Sequence, residues 1–195
     1  MAATLHESPA HPWSKHWPHV RDLYLHAFPP KERLSLIYLL LSSLRPSCSF
    51  STWTYDEKFA GLTYRIIRKD VVFLLFLAVH PEARSHGIGS RILKKISEIP
   101  TATVTVLQVE PCDEEAPNAD QRRKRWDFYI RNSFRPAPLL SDEAGQTYAT
   151  MIRGRDITAA EFYRILKGFM PPFRPVNVRE IPTDKSPTQT RSPEA

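Results

Sequence analysis

Gly87 and Gly89 stand one residue apart in LAVHPEARSHGIGSRIL (residues 77–93), directly after an apolar run and just ahead of a segment with helical periodicity. Glycine lets main-chain N–H groups approach a ligand closely because it has no Cβ, and a helix start leaves its first N–H groups without intrahelical partners. The helix macrodipole adds partial positive charge at the same place, and Arg84 adds a full one. The chemistry on offer is the seating of an anion, phosphate above all. A dinucleotide fingerprint would need a third glycine where Ile92 stands, and a P-loop would need Gly-Lys followed by Ser or Thr, so neither motif applies. Taken alone, RSHGIG is a weak signal and reads first as a tight strand-to-helix turn that holds no ligand.

The elements around this loop decide what it can position. Val20, Leu23, Tyr24, Ala27 and Phe28 recur at helical spacing and predict a helix closed by Pro29-Pro30. Leu34, Ile37, Leu41 and Leu44 continue that period and predict a second helix stopped by Pro46, the two making a hairpin around FPPKER. From Ser49 onward, β-branched and aromatic residues broken at 56–58 and 68–70 predict three antiparallel strands, the third being VVFLLFLAV. A strand apolar on both faces belongs inside a covered sheet. After the glycines, Ile88, Ile92, Leu93, Ile96 and Ile99 form the apolar stripe of a helix that Pro100 ends. TATVTVLQVE reads as a strand whose alternation slips at Leu107, through either a bulge or burial on both faces. Strand, helix and strand in this order suggest a crossover between parallel neighbours. A polar loop at 114–118, a basic helix over Gln121–Arg131 and a strand at YATMIRG follow. Thr158 and Glu161 have the spacing of a capping box and predict a last helix carrying Phe162, Ile165, Leu166 and Phe169.

The length of 195 residues predicts one domain, assigned to 1–170, with a flexible Pro-rich tail over 171–195. No apolar stretch approaches the roughly 20 residues of a membrane span. MAATLHESPAHPW lacks the basic and apolar segments of a secretory signal, so a cytoplasmic location is expected. Two cysteines, Cys48 and Cys112, do not imply a disulfide framework. The net charge of +6 favours anionic partners without choosing among nucleic acid, acidic protein and polyphosphate. The QRRKRW run reads more economically as a solvated or phosphate-facing helix than as a nucleic-acid patch. The histidines at 6, 11, 16, 19 and 26 lack metal-ligand spacing, so no metal is expected.

With its context, the chain resembles the GNAT superfamily of acetyl-CoA-dependent N-acetyltransferases, from the helical hairpin near Val20 to the strand near Tyr148. LAVHPEARSHGIGSRIL corresponds to the family's Arg/Gln-x-x-Gly-x-Gly/Ala segment, and FYIRNSF to its FYxxxGF. The resemblance implies an α/β fold of the GNAT (acyl-CoA N-acyltransferase) type, a mixed central sheet with splayed middle strands flanked by helices. It implies acetyl-CoA as acyl donor, with its pyrophosphate on the amides of Arg84, Ser85, His86, Gly87, Ile88, Gly89 and Ser90. The main chain of Leu77, Ala78 and Val79 would hold the pantetheine arm and polarise the thioester carbonyl. Asn118 would be a further pantetheine contact, although it lies eleven residues before Tyr129 where the family commonly has seven. Ser133 replaces the glycine of the GF pair, which matters little if the local dihedrals suit a side chain.

In such an enzyme Tyr129 corresponds to the tyrosine near the coenzyme sulfur that serves as general acid; the alternative is a core aromatic beside Trp126 and Ile130. Amide formation needs a neutral amine, yet an aliphatic ammonium has a pKa near ~10. Glu110 is the candidate base, directly or through water, the alternative being a surface carboxylate or a partner for the arginines. Glu32, in FPPKER, is a candidate substrate-binding residue, set against a solvated helix-start carboxylate. The expected reaction is acetyl transfer to a primary amine of a small molecule or peptide by direct attack. Two other readings stay open, a catalytically silent coenzyme-A-binding or interaction module and a protein N-terminal or lysine acetyltransferase. No membrane partner is expected, nucleic acid is not the favoured partner, and a homodimer is compatible with the sequence.

Overall fold

A computed structural model describes residues 4–84 and 86–181. Contacts divide the chain into two compact units, Met1–Ala102 and Thr103–Ala195, a division that composition does not announce.

The first unit runs β1 (Leu5–Pro9), α1 (Trp17–Ala27), α2 (Leu36–Ser42), β2 (Cys48–Tyr55), β3 (Lys58–Arg68), β4 (Val71–Val79), a 3₁₀ turn (Pro81–Ala83) and α3 (Ile88–Ser97). β1 to β4 pair antiparallel in chain order. Asp56 and Glu57 close the β2–β3 hairpin with φ of 51° and 63°, the two left-handed residues that a tight hairpin requires for its strands to keep their twist. β4 is largely buried along its length, as its apolar run predicts. Ile88, Ile92, Leu93 and Ile96 of α3 are each no more than 1% exposed. Burial of such a side chain stabilises the fold by about 1.5–3 kcal/mol, and this stripe fixes the rotation of α3 on the unit.

The second helix departs from its predicted face. Leu34 is buried, but Ile37, Leu41 and Leu44 are 70%, 62% and 80% exposed, while Leu39 is fully buried. In LIYLLL nearly every position is apolar, so periodicity does not choose the phase; tertiary contacts do. The Tyr24 hydroxyl donates to Leu34 O and accepts from Leu34 N, and the Tyr64 hydroxyl donates to Leu39 O, which together set how α2 is entered and turned. β1 was not foreseen. Its burial pattern shows one inward residue, Leu5, followed by four exposed ones, too weak an alternation to read from sequence.

The second unit runs β5 (Val104–Val109), α4 (Ala119–Arg131), β6 (Arg135–Glu143), β7 (Gln146–Gly154), α5 (Ala159–Phe169) and β8 (Val176–Glu180). Its strands pair antiparallel in the order β5-β7-β6-β8. The slip at Leu107 resolves as burial on both faces, since β5 pairs with β7 residue for residue without a bulge. The predicted α5 begins where its capping box placed it, with Glu161 N donating to Thr158 Oγ1. β6 was not foreseen because Pro136 and Pro138 withhold ladder donors, and its register against β7 shifts between Pro136 and Leu140. The expected tail is corrected in part: Val176–Glu180 pairs with β6 as β8, and only residues 182–195 lie outside the described residues. Among the described residues no helix is long and apolar enough to cross a membrane.

Candidate active site

In the first unit, β4 hands the chain through the 3₁₀ turn to the glycines. Gly87 is the N-cap of α3 with φ +66° and ψ 13°, a left-handed conformation that glycine adopts at no steric cost. A Cβ built there meets no atom within 4 Å, so the space above the helix start is open to a ligand. The Arg84 side chain turns back to donate from Nε to Val79 O at 3.3 Å, and His86 Nδ1 lies 2.8 Å from Arg84 O. These contacts shape the loop from its own main chain. Ser85 lies outside the described residues. Ile88 and Gly89 are buried in the first turn of α3, so their amides, not their side chains, are what the helix start presents.

Antiparallel pairing sorts the β4 candidates. His80 N donates to Ala60 O at 2.9 Å, and residues of one parity in an antiparallel strand turn both N–H and C=O to the same neighbour. Ala78 therefore spends its main-chain groups on β3, whereas Leu77 and Val79 turn theirs away, consistent with Val79 O being free to accept from Arg84. Of the three residues named for the pantetheine arm, Ala78 thus faces β3 with its main chain, and Leu77 and Val79 face away from it. Glu32 sits in the turn between α1 and α2. The groove of about 430 Å³ beside that turn is lined by Tyr24, Leu25, Arg33 to Leu36 and Ile37, and not by Glu32.

In the second unit, Tyr129 is 9% exposed on α4, its ring packed against Phe128 and Phe134 at centroid distances of 5.2 and 5.7 Å. Burial pushes its phenol up to about 12, with the nearby Arg125 acting the other way. The hydroxyl thus stays protonated across the neutral range. Glu110 has a different occupation from that of a free base. Arg122 Nη2 meets its Oε1 at 3.0 Å, Arg125 Nη1 its Oε2 at 3.1 Å, and Asn118 Nδ2 approaches both oxygens at 3.3–3.4 Å. Trp126 Nε1 donates to Glu110 O at 2.8 Å. The structure thus realises the arginine-partner alternative, and the cluster buckles α4 to the end of β5. It also takes up Asn118, whose Oδ1 accepts from Arg122 Nε at 2.8 Å, leaving that side chain engaged where a pantetheine contact was expected. Within the QRRKRW run, read from sequence as a solvated or phosphate-facing helix, the i, i+3, i+4 spacing of Arg122, Arg125 and Trp126 opposite a strand-end glutamate was the available signal.

Ser133 has φ +65°. The dihedral is left-handed, so the condition under which the substitution matters little, a backbone that suits a side chain, is not met. A non-glycine residue in this region costs about 1–2 kcal/mol, partly offset by the greater freedom glycine gives the unfolded chain. Ser133→Gly is expected to stabilise by about 0.5–1 kcal/mol, visible as a melting temperature raised by ~2–4 °C per kcal/mol. A lower melting temperature would show that the serine side chain compensates for its backbone.

The sequence model of the Acetyltransferase (GNAT) family matches residues 10–135, more than half of the chain. The chain belongs to the GNAT family. Solved structures share its fold: a GNAT-family protein from Bacteroides thetaiotaomicron is 21% identical with a TM-score of 0.65, over 84% of this chain and 94% of that one. A GNAT acetyltransferase from Elizabethkingia anophelis with acetyl-CoA bound is 16% identical with a TM-score of 0.54, over 77% and 98%. The ribosomal-protein-S18-alanine N-acetyltransferase from Escherichia coli is 17% identical with a TM-score of 0.52, over 80% and 96%. No curated protein matches this chain in sequence. The family match ends at residue 135, so this GNAT chain carries β6, β7, α5 and β8 beyond the matched stretch. Among the described residues no three His, Cys, Asp or Glu side chains gather so as to hold a metal ion.

Proposed function

We propose that this GNAT protein transfers acetyl from acetyl-CoA to a primary amine by direct attack. The observation that carries the reading is the bare start of α3 at Gly87, which follows a strand whose Leu77 and Val79 turn main-chain groups away from β3. In this reading the amides of 84–90 seat the pyrophosphate, and Leu77 and Val79 hold the pantetheine arm and polarise the thioester carbonyl. Tyr129 protonates the departing sulfur. The acetyl-CoA bound in the Elizabethkingia anophelis structure supports the choice of donor.

The acceptor is a small molecule or a peptide; a protein N-terminus or lysine is the alternative, and the Escherichia coli neighbour is named as a ribosomal-protein-S18-alanine N-acetyltransferase. One observation favours a silent coenzyme-binding module instead, namely that Glu110 is held by two arginines. Calorimetric titration with coenzyme A, followed by thiol release from acetyl-CoA with a panel of primary amines, separates these readings. Saturable binding with amine-dependent thiol release is the expected result. Binding without thioester consumption would leave only the module, and folded protein that shows neither would end the proposal.

A further inference from the structure

Tyr24, late in α1, packs its ring edge-on against Phe76 of β4 with centroids 5.2 Å apart, and Phe28 lies against the two rings at 5.5 and 4.7 Å. Phe76 immediately precedes Leu77, whose main chain holds the pantetheine arm in the acetyl-transfer reading. Tyr24 also lines the groove of about 430 Å³ at the start of α2. One ring therefore connects that groove to the stretch of β4 assigned to the thioester. α1, α2 and β4 all belong to the first unit.

The way α2 is entered sets the chemistry of the groove. The Tyr24 hydroxyl donates to Leu34 O and accepts from Leu34 N, both at 2.9 Å, so the polar atoms of these two buried residues serve each other. The surface left for a ligand is mainly hydrocarbon: Leu25 and Ile37 are 40% and 70% exposed, and Leu36 is half-buried. Ile37 and Leu41 stand one turn apart on the same face of α2, so exposed apolar surface continues along the helix from the groove. Exposed apolar side chains gathered at a cleft mark a binding groove, and the volume falls within the roughly 300–1,000 Å³ usual for small ligands. Arg33 is the one charged residue that lines the groove among the described residues; Lys31 and Glu32, in the same turn, do not line it.

We propose that this groove holds the carbon skeleton of the acceptor, and that the acceptor is a small apolar primary amine, alkyl or aryl-alkyl, with no second positive charge. The inference rests on the acetyl-transfer reading and names its acceptor class. The skeleton lies on Leu25, Leu36 and Ile37, and the amine points along Tyr24 and Phe76 toward Leu77. Hydrocarbon leaving water for these side chains supplies the affinity, so it grows with chain length. A diamine is disfavoured twice: its far ammonium loses water against apolar walls, and it meets the like charge of Arg33. A peptide would set main-chain N–H and C=O groups against the same walls at the cost of their desolvation.

The test measures thiol release from acetyl-CoA by the full chain with hexylamine, propylamine, the diamine of hexylamine's length and a polar peptide with a free N-terminus. We expect kcat/KM for hexylamine to exceed that for each of the other three by roughly tenfold or more, the discrimination that a methylene or two gives in an apolar site. Ile37→Ser should raise the KM for hexylamine by roughly 5- to 10-fold with kcat within about twofold, because the skeleton is held equally in the ground and transition states. Its coenzyme A dissociation constant should not change. Leu44→Ser, which removes an apolar side chain that is 80% exposed and outside the groove, should leave KM and kcat as they are. A general effect of surface polarity would move both variants alike. The amine series on the unmodified protein stands even if a variant does not fold. Equal kcat/KM for propylamine and hexylamine, faster turnover of the diamine or the peptide, or an unmoved KM in Ile37→Ser overturns the groove and leaves acetyl transfer standing. Failure of the unmodified protein to acetylate any of the four overturns both.

Discussion

Tyr129→Phe is expected to lower kcat by roughly 100-fold or more, the usual contribution of a positioned proton donor, while coenzyme A affinity stays within about twofold. The prediction separates the hydroxyl from the ring. The ring is 9% exposed and packed edge-on against Phe128 and Phe134, contacts that phenylalanine reproduces, so α4 and its melting behaviour should be preserved. What is lost is a proton that burial holds on the oxygen beyond the ordinary phenol range, its pKa pushed up to about 12. A thiolate leaving a tetrahedral intermediate must collect a proton or bear its charge in a desolvated place, and no other group proposed for this reaction delivers one to the sulfur. Steady-state thiol release gives kcat and titration calorimetry the affinity. An unchanged kcat would return Tyr129 to the core-aromatic role.

The largest loss of stability is expected from Gly154→Ala. Gly154 has φ +108°, outside even the left-handed pocket that other residues can visit, and a Cβ there would stand 2.1 Å from Thr103 O and 3.1 Å from Val104 Cα. Both obstacles are backbone at the start of β5, where Val104 pairs with Gly154, so no side-chain rotation relieves them. Backbone strain of about 1–3 kcal/mol and overpacking of about 1–3 kcal/mol give a loss of roughly 3–5 kcal/mol. A domain stable by ~5–15 kcal/mol would melt ~10–15 °C lower. Thermal and denaturant melts measure this directly. A melting temperature within a few degrees of the unmodified protein would mean that the β5 start moves aside at little cost, and that the register of Gln108 is less firmly set than the pairing suggests.

Sequence and structure divide the information along a physical line. Where one face of an element is apolar and the other polar, period and burial are two readings of one fact, so α1, α3 and α5 were legible with their inward residues. Where a segment is apolar all round, as in α2, or poor in pattern, as in β1 and the proline-bearing β6, only packing could choose a face or reveal the pairing. The candidate site divides the same way. Glycines before a helix announce a turn with bare amides in the sequence, because missing Cβ atoms and unpaired amides are local properties. The fate of a carboxylate is not local. Glu110 ends a stretch that reads as a strand and Glu143 one that does not, yet neither context states the outcome: α4 brings two guanidinium groups to the first, and strand register brings a glutamine to the second.

The sequence by itself determined the family and the glycine turn that opens α3. The tertiary structure decided which main-chain groups of β4 face β3, which carboxylate is clamped by arginines and which is buried. Charge, unlike helical period, takes its meaning from residues distant in the chain, and only folding sets those neighbours in place.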